Sequence, residues 1–312
     1  MISNMGSKRN KATLGMALAM AIFGSVGFLS AKTGVKAIEL VFIRCTGAAV
    51  LLGAMWLLSG TYKSEKWNKK EIIQVIFCGV FLTLNWVSLF KAFEMMHITV
   101  AISIYYLAPV IVFIAGSFLY KEKLNLLSIL CILLCFSGTV LVSGVGTNVS
   151  FKEILSSGLI WALLAACFYA MLMIIGKGIQ LLSSYSVTMI QTSVGALLLL
   201  PLVKFSSFQH LQSTNWITLV IIGFVHTGIV YLLFFGSIRH LSTKTIAALT
   251  FLDPAVAIIL DIIFNKFQPS VLQIVGIILS YTGIAVILLS NKSKQNNKDS
   301  NSNSKTLITK ID

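Results

Sequence analysis

The chain has 312 residues, 57% of them hydrophobic and 11% charged, with a formal net charge of +14 and a mean hydropathy of +0.90. This composition excludes a soluble globular domain of ordinary usage and indicates an integral membrane protein. A bilayer core about 30 Å thick needs roughly 20 apolar residues per helical crossing. With that ruler ten spans are expected: 12–31, 38–60, 72–92, 98–119, 125–145, 157–178, 185–203, 215–237, 245–264 and 270–290.

The first span follows a basic leader, residues 1–11, with Lys8, Arg9 and Lys11. Such a leader also suits a secretory signal peptide. The apolar run is longer than a signal core, lacks a small-x-small cleavage site and precedes nine further spans, so it is expected to remain as a helix. In the second span Arg44 lies about two turns from the outer end. It either faces an anionic substrate group or serves as a structural partner to Glu39 or to helix carbonyls. The third span carries Asn85 and Trp86, and at its outer end Lys91 and Glu94, three apart and expected to pair.

The fourth span contains "YYLAPVIVF", with Tyr105, Tyr106 and Pro109 in an apolar run. Proline inside a helix removes a hydrogen bond and clashes with the carbonyl four residues back. Pro109 therefore either ends a helix, makes a packing kink, or frees the Tyr105 carbonyl near mid-membrane. A free carbonyl is tolerated there only against protein or a wet cavity. Cys131 and Cys135 lie four apart on the fifth span without a His or carboxylate, so no metal site is expected. All five cysteines read as buried small hydrophobes. Asn85, Trp86, Tyr105 and Tyr106 could line one half of an aromatic cavity, with Gln191, His226 and Tyr231 lining the other. Packing aromatics and a satisfied buried histidine are the alternatives. After Asn291 an Asn-, Ser- and Lys-rich stretch, 291–312, is expected to be a disordered tail.

The positive charge concentrates on one side. With a cytoplasmic N-terminus, Lys63, Lys66, Lys69, Lys70, Lys121 and Lys123 join the leader inside, and few cations remain outside. This is the positive-inside pattern, with both termini cytoplasmic, and it removes the need for a nucleic-acid partner.

"TFLDPAVAI", from Thr250 to Ile258, repeats "YYLAPVIVF" 145 residues later, so that Pro254 matches Pro109. The same offset aligns Lys121 with Lys266, Gly138 with Gly283, Phe23 with Phe168 and Trp86 with Tyr231. The chain is therefore read as an all-α membrane protein of two five-helix repeats, 12–147 and 157–290. Five is odd, so the second repeat enters the membrane from the opposite side. Inverted repeats are a signature of secondary transporters.

"FGSVGFLSAKTG", Arg44 in "FIRCTGAA" and "LAPVIVFIAGSFLYKEKLNLLSILCILLCFSGTVLV" resemble one EamA-type repeat of the drug/metabolite transporter superfamily. The stretch from "GFVHTGIVYLLFF" to "SYTGIAVIL" is similar to its second repeat. The resemblance implies a carrier that moves amino acids, other small metabolites or drugs, mostly outward. The family has an acidic residue in the hairpin after the fourth helix of each repeat. Glu122 fits that pattern, whereas Phe267 holds the matching place in the second repeat. Before the second proline the family usually has Glu; here it is Asp253.

Asp253 is the residue expected to couple transport to an ion, with a proton as the candidate, or to orient a cationic part of the substrate. Its counterpart Ala108 shows that the repeat does not need a carboxylate there. A structural carboxyl is the alternative, and Asp261 is a lesser candidate. No metal cluster, nucleophile elbow or phosphate loop supports an enzyme, and no cofactor is expected. The expected function is export of a small metabolite such as an amino acid, by a multi-pass cell-membrane protein whose partners are that substrate and the bilayer. The alternatives are a multidrug exporter, an uncoupled facilitated-diffusion carrier, or a membrane receptor or lipid-handling protein.

Overall fold

A computed structural model describes residues 2–119, 126–143, 158–176, 178–238, 241, 249, 252–283 and 285–286. Thr250, Glu122 and the tail 291–312 lie outside the described residues. The described chain is helical, with no strand: α1 (Ile2–Gly24), α2 (Val26–Ser30), α3 (Ala37–Leu58), α4 (Lys69–Met95), α5 (Ile98–Tyr105), α6 (Ala108–Leu119), α7 (Leu126–Ser143), α8 (Leu159–Gly176) and α9 (Ser184–Leu199). It continues with α10 (Ser213–Val220), a π-helix (Ile221–Ile229), α11 (Val230–Ile238), α12 (Leu252–Phe264) and α13 (Val271–Gly283).

Five helical stretches are long and apolar enough to cross a membrane unaided: Asn10–Ser30, Ala37–Leu58, Lys69–Met95, Leu159–Gly176 and Ser184–Leu202. Among the described residues, Ile98–Val112, Ile129–Val142, Ser213–Ile229 and Val271–Gly283 are shorter apolar helices. The expected fourth span divides at a turn, where the Leu107 N–H bonds the Ile104 carbonyl at 3.0 Å, and restarts at Ala108. Pro109 is thus in the first turn of α6, where its missing N–H has no intrahelical acceptor to lose. Pro254 is likewise the third residue of the described α12. Pro109 thus starts a helix and does not kink one.

Polar and apolar residues are distributed as a bilayer requires. Leu58, Leu126, Val271 and Leu272 face outward, whereas Glu39, Arg44, Asn85, Ser103 and His226 are buried. In lipid, apolar burial gives little drive for helix association, so close backbone approach and interhelical hydrogen bonds do the work. α4 packs along α8, α3 along α9, α1 along α11, and α5 against α12. A Cβ on Gly47 would meet Gly223 at 3.3 Å, and one on Gly79 would meet Gln191 at 3.0 Å.

The α7–α13 contact is reciprocal between residues that the 145-residue offset matches. Ser280 Oγ donates to the Cys135 carbonyl at 3.3 Å, and Cys135 Sγ donates to the Ser280 carbonyl at 3.5 Å. A Cβ on Gly276 would lie 2.6 Å from the Gly138 carbonyl oxygen, and one on Gly283 would lie 2.8 Å from that of Cys131. Such exchange of partners is how a two-fold contact presents itself. Of the cysteines, Cys45, Cys78, Cys131 and Cys135 are buried, but Cys167 is exposed, contrary to its expected burial. It lies on an outward face of an apolar helix, where a small hydrophobe meets lipid at no cost.

Candidate functional site

Six carboxylates fall among the described residues, and five of them hold backbone N–H groups. Glu94 accepts from Ala37 at the start of α3 (2.6 Å), Asp261 accepts from Thr99 at the start of α5 (2.9 Å), and Glu39 accepts from Lys204 (3.1 Å). Glu71 takes the N–H groups of Gln180, Leu181 and Leu182 at 3.0 to 3.1 Å. Glu65 takes those of Ser183 at 2.6 Å and the hydroxyls of Ser183 and Ser186. These anions satisfy orphan donors at helix starts and turns. Asp261 is therefore structural, and so is Glu39. Lys91 Nζ lies 2.7 Å from Glu94 Oε2, as expected from their spacing.

Asp253 is the sixth carboxylate, and it is held differently. Its Oδ2 accepts from the Tyr106 hydroxyl at 2.9 Å. The Asp253 carbonyl oxygen lies where a Cβ on Gly24 would be, so the bare backbone after Phe23 lets α1 close on this segment.

Arg44 is 4% exposed, and it does not pair with Glu39, whose Oε1 accepts from the Lys204 N–H. Its Nε donates to Thr227 Oγ1 at 3.1 Å. Its guanidinium carbon lies 4.1 Å from the Trp86 ring centroid and 5.3 Å from that of Phe90. Stacking on aromatic faces suits the planar guanidinium. Among the described residues no carboxylate lies within 4.0 Å of it.

Thr227 and His226 belong to the π-helix, a wide turn that is uncommon outside functional positions. Its i–5 geometry shows in the side chains: Thr227 Oγ1 donates to the Ile222 carbonyl at 3.2 Å. His226 Nε2 lies 2.9 Å from Ser25 Oγ, at the break between α1 and α2. His226 is thus bonded to a neighbouring helix, the satisfied-histidine alternative.

Aromatic rings lie near Arg44 and Asp253. Tyr105 stacks on Tyr169 with centroids 5.3 Å apart, Tyr106 meets Tyr281 edge-on at 5.8 Å, and Tyr231 meets Phe23 at 5.7 Å. Tyr231 and Tyr105 are in electrostatic range of Arg44; Tyr105 is also in range of Asp253 and Tyr169. Asn85 Nδ2 donates to the Ala165 carbonyl at 2.8 Å. Because that carbonyl can only accept, the amide orientation is fixed, and Oδ1 stands buried with no hydrogen bond among the described residues.

The structure thus brings together Arg44, Trp86, Tyr105, Tyr106, Tyr231 and Asp253, with Asn85 and His226 beside them. Gln191 sits apart, where α9 crosses α4 at Gly79. Sequence reasoning missed Ser25, Tyr169 and Thr227. The Gly24–Ser25 pair is a helix-break signal that could have flagged the first, whereas a π-turn leaves no sequence pattern that would flag Thr227. Among the described residues no group of three His, Cys, Asp or Glu is placed to hold a metal.

The profile of the EamA-like transporter family matches residues 10–144 and again 156–289. The chain belongs to that family. It is 49% identical over 289 residues to the uncharacterized transporter YxxF of Bacillus subtilis (strain 168), covering 93% of both chains. An uncharacterized transporter of Clostridium kluyveri is 24% identical over 186 residues, 56% of this chain and 58% of that one. A solved crystal structure at 17% identity, covering 89% of this chain and 96% of that chain, has a TM-score of 0.62 and shares the fold. Phe267 stands where the 145-residue offset places Glu122 in the first repeat of this EamA transporter. The Phe267 side chain is 5% exposed, packs with Val100 and Ile104, and lies 4.6 Å from the His97 ring, a place for a hydrophobe.

Proposed function

We propose that this EamA transporter is a secondary carrier that exports a small zwitterionic metabolite, such as an amino acid, by alternating access. In this reading it consists of two inverted five-helix repeats, 12–147 and 157–290, crosses the cell membrane ten times, and keeps both termini in the cytoplasm. The reading rests on one observation: among the described residues the buried Arg44 and Asp253 hold no backbone group and do not pair with each other, and Tyr105 is in electrostatic range of both. Ionisable groups in a membrane interior cost on the order of 2.5–3.5 kcal/mol each by insertion scales, so a pair left without structural duty is a substrate-site candidate.

In the proposed cycle a substrate carboxylate takes the Arg44 guanidinium and its ammonium approaches Asp253. The aromatic rings accept the apolar remainder. Protonation of Asp253 releases the ammonium and couples movement to a proton gradient. Thr250, Pro109 and Pro254 are proposed to flank this path, Pro109 in the first turn of the helix that follows Tyr106 and Pro254 next to Asp253. Overexpression tests the reading: cells should tolerate raised levels of the exported amino acid, or of a toxic analogue, and the Arg44→Gln variant should remove that tolerance. Tolerance confined to structurally unrelated drugs would favour the multidrug alternative.

A further inference from the structure

We infer that the α3–α4 hairpin is a docking surface for anionic phospholipid headgroups. Lys63, Lys66, Lys69 and Lys70 are exposed around it, beside Trp67 at 53% and Tyr62 at 42% exposure. Trp56 and Trp67 meet edge-on with centroids 6.2 Å apart, and Trp56 and Tyr62 at 5.8 Å. Indole and phenol rings of this kind seat at the headgroup level of a bilayer. The hairpin follows directly on Leu57 and Leu58, which are 57% and 87% exposed at the end of an apolar helix.

Two carboxylates lie in the same stretch, and both point inward. Glu65 accepts from Trp56 Nε1, Ser183 and Ser186; Glu71 accepts from Gln180, Leu181 and Leu182. The outward face therefore presents cations without their sequence neighbours' countercharge. Lys69 and Lys70 also occupy the first turn of α4, capped by Asn68, where the helix dipole disfavours positive charge. Helix stability alone would not place them there.

The matching hairpin of the second repeat isolates the charge as a separate feature. At the 145-residue offset the four lysines become Phe208, Leu211, Thr214 and Asn215. That hairpin has an aromatic pair of its own, Phe208 and Trp216 stacked at 5.9 Å, at positions that match Lys63 and Glu71, and no lysine cluster. The lysine cluster is thus a feature of the first hairpin that the second repeat does not share. Charge complementarity selects the occupant, a phosphodiester headgroup held between lysines with its acyl chains beside Leu57 and Leu58.

The full-length protein in neutral detergent micelles is titrated with phosphatidylglycerol, phosphatidylcholine or inorganic phosphate, and the unfolding midpoint is followed. Phosphatidylglycerol should raise it, whereas the other two should not. Each lysine lost should weaken the apparent affinity on the order of fivefold. The pair variants K63Q/K66Q and K69Q/K70Q should each lose roughly 25-fold on that basis, and K63Q/K66Q/K69Q/K70Q should lose the response. K36Q/K204Q, which neutralises exposed lysines elsewhere, should respond like the parent. Should the quadruple variant fail to fold, the pair variants decide. Pair variants with the parent's affinity, an equal response to phosphatidylcholine, or an equal shift from phosphate would each overturn the inference.

Discussion

Arg44 and Asp253 are costly residues to keep in an apolar interior, and among the described residues each has other contacts in place of an ionic partner. Arg44 has two aromatic faces and a threonine hydroxyl; Asp253 has one tyrosine hydroxyl. Removing the guanidinium with Arg44→Gln should raise the half-saturation for a carboxylated substrate at least tenfold, about 1.4 kcal/mol, measured as concentration-dependent flux. Arg44→Lys should rescue little, because an ammonium cannot stack on Trp86 while reaching Thr227. Asp253→Asn keeps shape and removes titration, so exchange should continue while dependence on a pH gradient is lost. A parent-like rate and pH profile in that variant would assign transport to uncoupled diffusion. The sequence exposed both residues because a charge in an apolar run is conspicuous. Their surroundings were less legible: Glu39, near in sequence, was one of the partners considered for Arg44, and the observed hydrogen bond goes to Thr227, from the other half of the chain.

At the level of helices, stability comes from bare backbone contacts and from carboxylates that cap neighbouring segments. Gly138 admits Gly276 with no room for a side chain, so Gly138→Leu should overpack α7 against α13 and cost about 1–3 kcal/mol or more, read as a lower unfolding midpoint in micelles. The latch at Glu65 should be sensitive to acid. Burial alone would raise its carboxyl, but hydrogen bonds from Ser186, Ser183 and Trp56 outweigh this and hold it below the usual glutamate range. A carboxylate so depressed contributes stability that is present in full above its unfolded value, about 4.3, and that is lost as pH falls through the lower folded value. The parent should therefore lose midpoint on acidification below about pH 4, and Glu65→Gln should start lower and lose less. Helix positions were legible from apolar run length. The π-turn was not, because no residue pattern marks it, whereas the break at Ser25 had a signal in the Gly24–Ser25 pair. Pro109 announced that something happens nearby, and the structure makes it a helix start.

For the molecule as a whole, the 145-residue offset was the most informative feature of the sequence, and the reciprocal Cys135–Ser280 bonds give it a physical counterpart. If the repeats are inverted, reporters fused after Asn148 and at the C-terminus should lie on opposite sides, outside and inside; the same side for both would refute the inversion. Substrate identity was not legible, because a cation, an anion and a set of rings specify a charge pattern and no particular side chain. Flux through the reconstituted parent protein is the most direct test of the transport reading. Proteoliposomes loaded with labelled amino acids and placed in an outward-driving pH gradient should release at least one of them saturably, faster than protein-free vesicles, and Arg44→Gln should slow that release. Release at the protein-free rate for every amino acid tried would contradict it.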